Sequence, residues 1–235
     1  MSNDTIKKYK SGCIAATLQT LLVYPLDVIR VKSFIQTTVG KWLYNGLLFT
    51  IMSNIFRTSL YYPTQDIISH YFDNDRQTEA NLIVCILTSI LTTPINSIKT
   101  PLQISSTIKI NKVISEIYNK YGIKGFYRGS IPICFRDSLW TVIYFKLFNN
   151  YNYNDNNRLL ASIYSSTIAA TLTYPFDSSR ICMQHHKHTY KFWYGFRESF
   201  QPTFSNLKSF ATGNLRVTFA TCIGHYTYLW MQDNI

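Results

Sequence analysis

Three times along the chain an apolar, charge-free stretch ends on one short pattern: proline, an acid or amide two residues on, and a base three residues after that. Pro25, Asp27 and Arg30 close the first stretch, Pro94, Asn96 and Lys99 the second, and Pro175, Asp177 and Arg180 the third. A second element follows each: Leu43-Tyr44-Asn45-Gly46, Phe126-Tyr127-Arg128-Gly129 and, more weakly, Leu207-Lys208-Ser209, and each leads into a further apolar segment. Such periodicity restricts the chain to copies of one supersecondary unit packed on each other. The unit reads helix, proline kink, loop, helix.

The segments have the dimensions of membrane spans. Charge-free windows lie at Ser11–Leu26, Ala80–Ile98, Leu159–Phe176 and Val217–Gln232, each near the roughly 20 residues that cross a bilayer as helix. Leu43–Tyr62 carries Arg57, and Ile131–Phe148 carries Arg136, Asp137 and Lys146; a charge inside a span is expensive and normally faces a water-filled interior, so both remain spans. Only 15% of the 235 residues are charged, against about 25% in soluble domains. The apolar and aromatic content excludes disorder. Core helices of a soluble bundle are the alternative. The basic N-terminus shows no separable apolar core and cleavage site of a signal peptide. Cys13, Cys85, Cys134, Cys182 and Cys222 stand singly in or beside apolar segments, a pattern of small packing residues and neither a metal site nor a disulfide framework.

These residues resemble the repeat of the mitochondrial carrier family, P-x-[DE]-x-x-[KR]-x-[KR], then a short matrix helix, then an aromatic-basic-Gly element. The resemblance covers nearly the whole chain. It implies an all-α membrane protein with six transmembrane helices in three pseudo-symmetric two-helix repeats around a central cavity, at 1–72, 73–152 and 153–235. Kink proline to Gly-type element is 21 residues from Pro25 to Gly46, 35 from Pro94 to Gly129 and 34 from Pro175 to Ser209. The first repeat therefore lacks its matrix helix; the second keeps one near Lys112–Lys120 and the third a reduced one near Phe196–Asn206. Heavy use of Asn, Ile, Tyr and Lys suggests an AT-rich genome, and the whole looks like a shortened, divergent carrier from a parasite or a large DNA virus.

Fourteen of the 23 basic residues fall in the connections after the odd helices, while Asp66, Asp73, Asp75 and Glu79 make the first opposite connection acidic; this bias sets the former inside. The resemblance implies a matrix gate of inter-helix pairs at the kinks, Asp27 with Lys99 and Asp177 with Arg30. Asn96 breaks the third pair, where the acid would face Arg180. Gln103 and Gln184 hold the family's bracing position, which Phe34 holds in the first repeat. Tethering alone is the other reading of these pairs. An outer ring has no complete ion pair: Gln65-Asp66 with Ser69, Phe148-Asn149 with Asn152, and Tyr228-Leu229 with Gln232 occupy it. An outward-open resting state is expected.

With the rings set aside, the even helices leave Arg57, Arg136, Asp137 and Arg216, one arginine per repeat. Arg136 and Arg216 lie seven residues beyond Gly129 and Ser209, and Arg57 lies eleven beyond Gly46, one turn nearer the outside. Arginine's planar fork suits carboxylate and phosphate, so three in one cavity imply a small anionic solute. Trp140 shares a face with Arg136, and Tyr61 with Arg57; stacking on a base would suit nucleotides, while packing against lipid or neighbouring helices is the bland alternative. The Arg136-Asp137 pair looks more like amino-acid carriers, with Asp137 pairing Arg136 or receiving a substrate amine.

The expectation is thus an exchanger of nucleotides or deoxynucleotides, with an amino-acid or carboxylate carrier as alternative, in the mitochondrial inner membrane or that of a host. It is expected to be a monomer among membrane lipids such as cardiolipin, with no cofactor, metal, enzyme activity or nucleic-acid partner. A basic chain of pI about 9.4 raises nucleic-acid binding, but its charges are dispersed over loops. The cluster His185-His186-Lys187-His188 lacks accompanying acids or cysteines and reads as a solvated loop.

Overall fold

The computed structural model describes residues 3–37, 43–44, 46–69, 77–104, 109–151, 158–185 and 192–234. Six long helices carry them: α1 (Asn3–Phe34), α2 (Leu47–Ser69), α3 (Gln77–Ile104), α5 (Ser130–Tyr151), α6 (Arg158–Gln184) and α8 (Phe204–Asn234). Two short ones, α4 (Ile110–Tyr121) and α7 (Phe192–Glu198), lie between, with a 3-10 turn at Ile123–Tyr127. Each long helix touches the next in chain order, and α8 closes against α1, so the six form a ring.

Proline does not end the odd helices. Pro25, Pro94 and Pro175 all lie inside them, and the helices run at least nine residues further, to Phe34, Ile104 and Gln184. A proline removes one backbone hydrogen bond and bends the helix without stopping it when surrounding packing compensates. The apolar windows therefore understate the helices: acid, base and bracing residue lie on the helix itself. Hydroxyl side chains in the apolar stretches bond back to their own backbone, as Thr88 to Val84, Thr92 to Thr88 and Thr93 to Ser89 at 2.7–2.8 Å. This satisfies them without a partner helix.

Among the described residues no helix separates Phe34 from Leu47, where the sequence expects the missing matrix helix. In the second unit α4 spans the expected place and buries Val113 and Ile117, four residues apart, against Leu102. The third differs from expectation. Its short helix lies earlier, at Phe192–Glu198, and the segment expected to be helical is a turn followed by the start of α8. Pro202 disfavours helix at the residue before it, and buried Asn206 closes α7 by donating Nδ2 to the carbonyls of Glu198 (2.7 Å) and Gln201 (3.0 Å). Thr203 Oγ1 accepts the Asn206 N–H at 3.3 Å, an N-cap that starts α8 well before the apolar window at Val217.

Gly46 and Gly129 immediately precede α2 and α5 with φ of 79° and 83°, a region open to glycine at little cost. Both sit against the bracing glutamine of the following odd helix: a Cβ on Gly46 would lie 3.8 Å from Gln103 Cγ, and one on Gly129 3.3 Å from Gln184 Cγ. Ser209 has no such turn. It lies within α8, fully buried, and donates to the Arg30 carbonyl at 3.1 Å.

Among the described residues, buried polar and charged side chains outnumber buried apolar ones. Large apolar side chains point outward instead, including Leu22, Leu48, Ile131 and Leu160, each more than 60% exposed. A core more polar than the surface suits an apolar solvent around the ring. By length and composition two helices are apolar enough to cross a membrane, at Cys13–Phe34 and Glu79–Ile104. The other four long helices contain the polar inner faces and charges that lower their mean hydropathy.

Gly129→Ala should lower stability by about 1–2 kcal/mol from the left-handed backbone alone, with the Gln184 contact adding to the loss. Gly122→Ala, at φ 65° with open space around its Cβ, should show the backbone part only. Equal losses in thermal unfolding of the detergent-solubilised protein would remove the close approach from the account.

Candidate solute-binding cavity

The three kinks converge on the ring axis and floor a cavity of about 430 Å³. A second space of about 540 Å³ continues from it toward the N-terminal half of α1, sharing Gln19, Arg57, Asp137 and Trp140. Arg30, Arg57, Lys99, Arg136, Arg180 and Arg216 line the first cavity against Asp27, Asp137 and Asp177. Six cations thus face three carboxylates.

At the floor, two of the expected pairs form. Lys99 Nζ lies 3.1 Å from Asp27 Oδ2, and Arg30 pairs with Asp177. Gln103 braces the first by donating Nε2 to Asp27 Oδ2 at 2.9 Å. The third position behaves as its missing acid demands. Asn96 Oδ1 accepts from Ser53 Oγ at 3.2 Å. Arg180 turns along its own helix to Asp177 Oδ1 (3.0 Å) and Gln184 Oε1 (3.3 Å). Gln184 also accepts from Thr100 Oγ1 at 2.8 Å, which ties α6 to α3. Phe34 meets Tyr174 edge-on in an apolar cluster with Ile104 and Ile181. Gly213 allows Arg30 to lie flat on α8, since a Cβ there would sit 3.1 Å from Arg30 Cδ.

Above the floor, Arg57, Arg136 and Arg216 all face the cavity, yet each already holds a carboxylate. Asp137, 7% exposed, accepts from Arg136 Nε at 2.7 Å, Arg57 Nη2 at 3.3 Å and Ser89 Oγ at 2.6 Å. Arg136 extends Nη1 to Asp177 Oδ1 at 2.7 Å, and Arg216 Nε lies 3.6 Å from Asp27 Oδ1. The acids they hold are buried and would be costly to leave unpaired, so the arginines, themselves partly exposed to the cavity, turn to them. Trp140 lines both spaces and stacks on Tyr144 at 4.8 Å, which stacks on Phe148 at 5.6 Å; one side of its ring system is thereby occupied. Tyr61 lines the second space.

Ser53, Ser89, Asn54 and Asn214 were not singled out by sequence. Asn54 donates to Thr20 Oγ1 at 2.6 Å, and Asn214 Oδ1 accepts from Thr171 at 3.3 Å. Their signal was available only as spacing from Gly46 and Ser209. In the outer ring, the side chains of Gln65, Asp66, Ser69, Asn152, Tyr228, Leu229 and Gln232 lie outside the described residues. So do His186, Lys187 and His188 of the histidine cluster.

A family model described as mitochondrial carrier protein matches residues 78–156. Those residues contain α3, its kink, α4 and α5, one complete unit of the ring. A mitochondrial carrier-like protein of Acanthamoeba polyphaga mimivirus is 33% identical over 105 residues, 43% of this chain and 44% of that protein. A mitochondrial substrate carrier family protein of Dictyostelium discoideum is 23% identical over 207 residues, 71% of this chain and 69% of that protein. The chain resembles mitochondrial carriers over residues 78–156 and over the stretch it shares with the Dictyostelium protein. The described secondary structure is wholly helical. Mitochondrial glycine transporter A of Danio rerio is 25% identical over 127 residues, 47% of this chain and 44% of that protein. The match spans less than half the length of the mimivirus and zebrafish proteins.

Asp137→Ala would leave Arg57 and Arg136 without their shared acid and should lower stability by about 3 kcal/mol. Ser89→Ala, which removes one donor to that acid, should cost about 1 kcal/mol. Thermal unfolding of both variants checks the order, and a silent Asp137→Ala would show that the cluster contributes nothing to the fold.

Proposed function

We propose that this protein is an alternating-access transporter that exchanges small anionic metabolites, foremost nucleotides or deoxynucleotides, across the mitochondrial inner membrane. In this reading the six long helices are the spans, and 1–72, 73–152 and 153–235 are the three repeats. The kink pairs form the gate, and Arg57, Tyr61, Arg136, Asp137, Trp140 and Arg216 meet the solute. A viral protein of this kind would act in the host's mitochondrion, as a monomer surrounded by lipid such as cardiolipin. No covalent step is required, because binding in the cavity offsets the opening of one end and the closing of the other.

The charge balance of the cavity carries the reading: six cations against three carboxylates. An excess of three positive charges favours a polyanion, and a nucleoside di- or triphosphate supplies that charge in one molecule. Trp140, presenting its cavity side beside Arg136, supports stacking of a base. The cavity also favours phosphate oxygens through bidentate arginine contacts. The gate pairs made at the floor, with a continuous space above them, support an outward-open resting state.

An amino-acid carrier is the second reading. It draws on Asp137, an acid in the solute region, and on the glycine transporter among the relatives. A zwitterion would leave the excess charge uncompensated, which ranks this reading second.

Purified protein in liposomes loaded in turn with ADP, deoxynucleotides, glycine, aspartate and keto acids should exchange the nucleotides. Arg57→Ala, Arg136→Ala and Arg216→Ala should each cut that exchange at least about 30-fold, the loss that about 2 kcal/mol of charge-pair binding gives. Exchange of glycine or aspartate alone would move the assignment to the second reading, and no exchange of any of these solutes would overturn the transport reading.

A further inference from the structure

Arg136 and Arg216 stand at the same place in their units, seven residues beyond Gly129 and Ser209. Each reaches the kink acid of the next odd helix around the ring. Arg136 on α5 meets Asp177 on α6 at 2.7 Å, and Arg216 on α8 meets Asp27 on α1 at 3.6 Å. The corresponding residue in the first unit, seven beyond Gly46, is Ser53. It bonds to Asn96, the residue at the kink-acid place on α3, at 3.2 Å. The same contact therefore occurs three times around the axis, twice as an ion pair and once as a neutral pair.

This equivalence accounts for Asn96. Ser53 is 5% exposed, so an aspartate at 96 would face a buried hydroxyl where the other two acids face a guanidinium. Both members of the first pair are neutral together, so neither leaves an unpaired charge. Arg57, the arginine of the first unit, lies one turn along α2 and serves Asp137 instead. The threefold pattern of arginines in the sequence is thus a twofold pattern plus an outlier, and the true third member is Ser53.

We propose that the contacts Arg136–Asp177, Arg216–Asp27 and Ser53–Asn96 form a second tier of the inner gate, in which each even helix is latched to the following odd helix. This rests on the transport reading for its place in the cycle. The ring of kink pairs joins odd helices to each other, whereas this tier joins even helices to odd ones, so the closed end is held in both directions. The arginines that would receive an anion are the ones that hold the gate acids. A solute phosphate or carboxylate must take Arg136 from Asp177 and Arg216 from Asp27, which withdraws two counter-charges from the acids that close the floor. Solute binding and gate release would then be one exchange of partners.

The test reads the gate without any solute, so its outcome is separate from that of the exchange assay. The five cysteines are free, so they are replaced by alanine. Nitroxides are placed at Ile123→Cys and Phe204→Cys, two exposed sites at the kink end, and their separation is measured by double electron–electron resonance. Arg136→Gln and Arg216→Gln should each enlarge the long-distance population roughly tenfold, equivalent to about 1.4 kcal/mol. Ser53→Arg combined with Asn96→Asp should shrink it below that of either single variant. Unchanged distances in both glutamine variants would overturn the latch. Additive effects at Ser53 and Asn96 would overturn the equivalence, and this cycle decides alone if the glutamine variants fail to fold.

Discussion

Three carboxylates inside a helical ring must be neutralised, because a bare charge in a medium of low dielectric is too costly to keep. Asp27 and Asp177 are almost wholly buried, and five cations approach them from five helices: Arg30, Lys99, Arg136, Arg180 and Arg216. Everything at the closed end follows from this. The kinks bring the acids to the axis, Gln103 and Thr100 supply the remaining polar contacts, and Gly213 makes room for the stem of Arg30. Apolar packing at this level includes one cluster around Phe34 and Tyr174 and another around Leu102 and Val113.

The polar interior also explains why mean hydropathy is low for helices whose outer faces are apolar. A helix in such a ring needs only its outer face to be apolar. Its inner face carries hydroxyls that bond to the backbone one turn back, and a few charges that find partners across the axis. Averaged along the chain, the two faces nearly cancel, giving a mean hydropathy of -0.04. Among the described residues, α1 and α3 alone contain a long apolar window despite their polar faces.

Much of the fold was legible because it is repeated. Pro-acid-base patterns marked the prolines that lie inside the three odd helices. The pairs Asp27–Lys99 and Asp177–Arg30 were legible for the same reason. What escaped was set by local chemistry. The start of α8 depends on Thr203 and Asn206 as caps, which an apolar window does not register, and the third short helix was consequently placed too late. Of the partners of Asp137, Arg136 was among the readings of the sequence, whereas Arg57 and Ser89 reach it from other helices, which charge counting along the chain does not report. The role of Ser53 was hidden because a neutral residue was not expected to stand in the place of an arginine.

The unbroken α8 has a mechanical consequence. In the first two units a left-handed glycine separates the even helix from what precedes it, a joint about which the helix can turn. The third unit has no such joint at Ser209. Asn206 anchors α7 to the first turn of α8, and the helix continues rigidly to Arg216, about 15 Å away at 1.5 Å per residue. A push on α7 would therefore travel to the cavity through a stiff rod, whereas the corresponding push on α4 meets a hinge at Gly129. The three-part ring has one lever and two flexures, so its members need not move together.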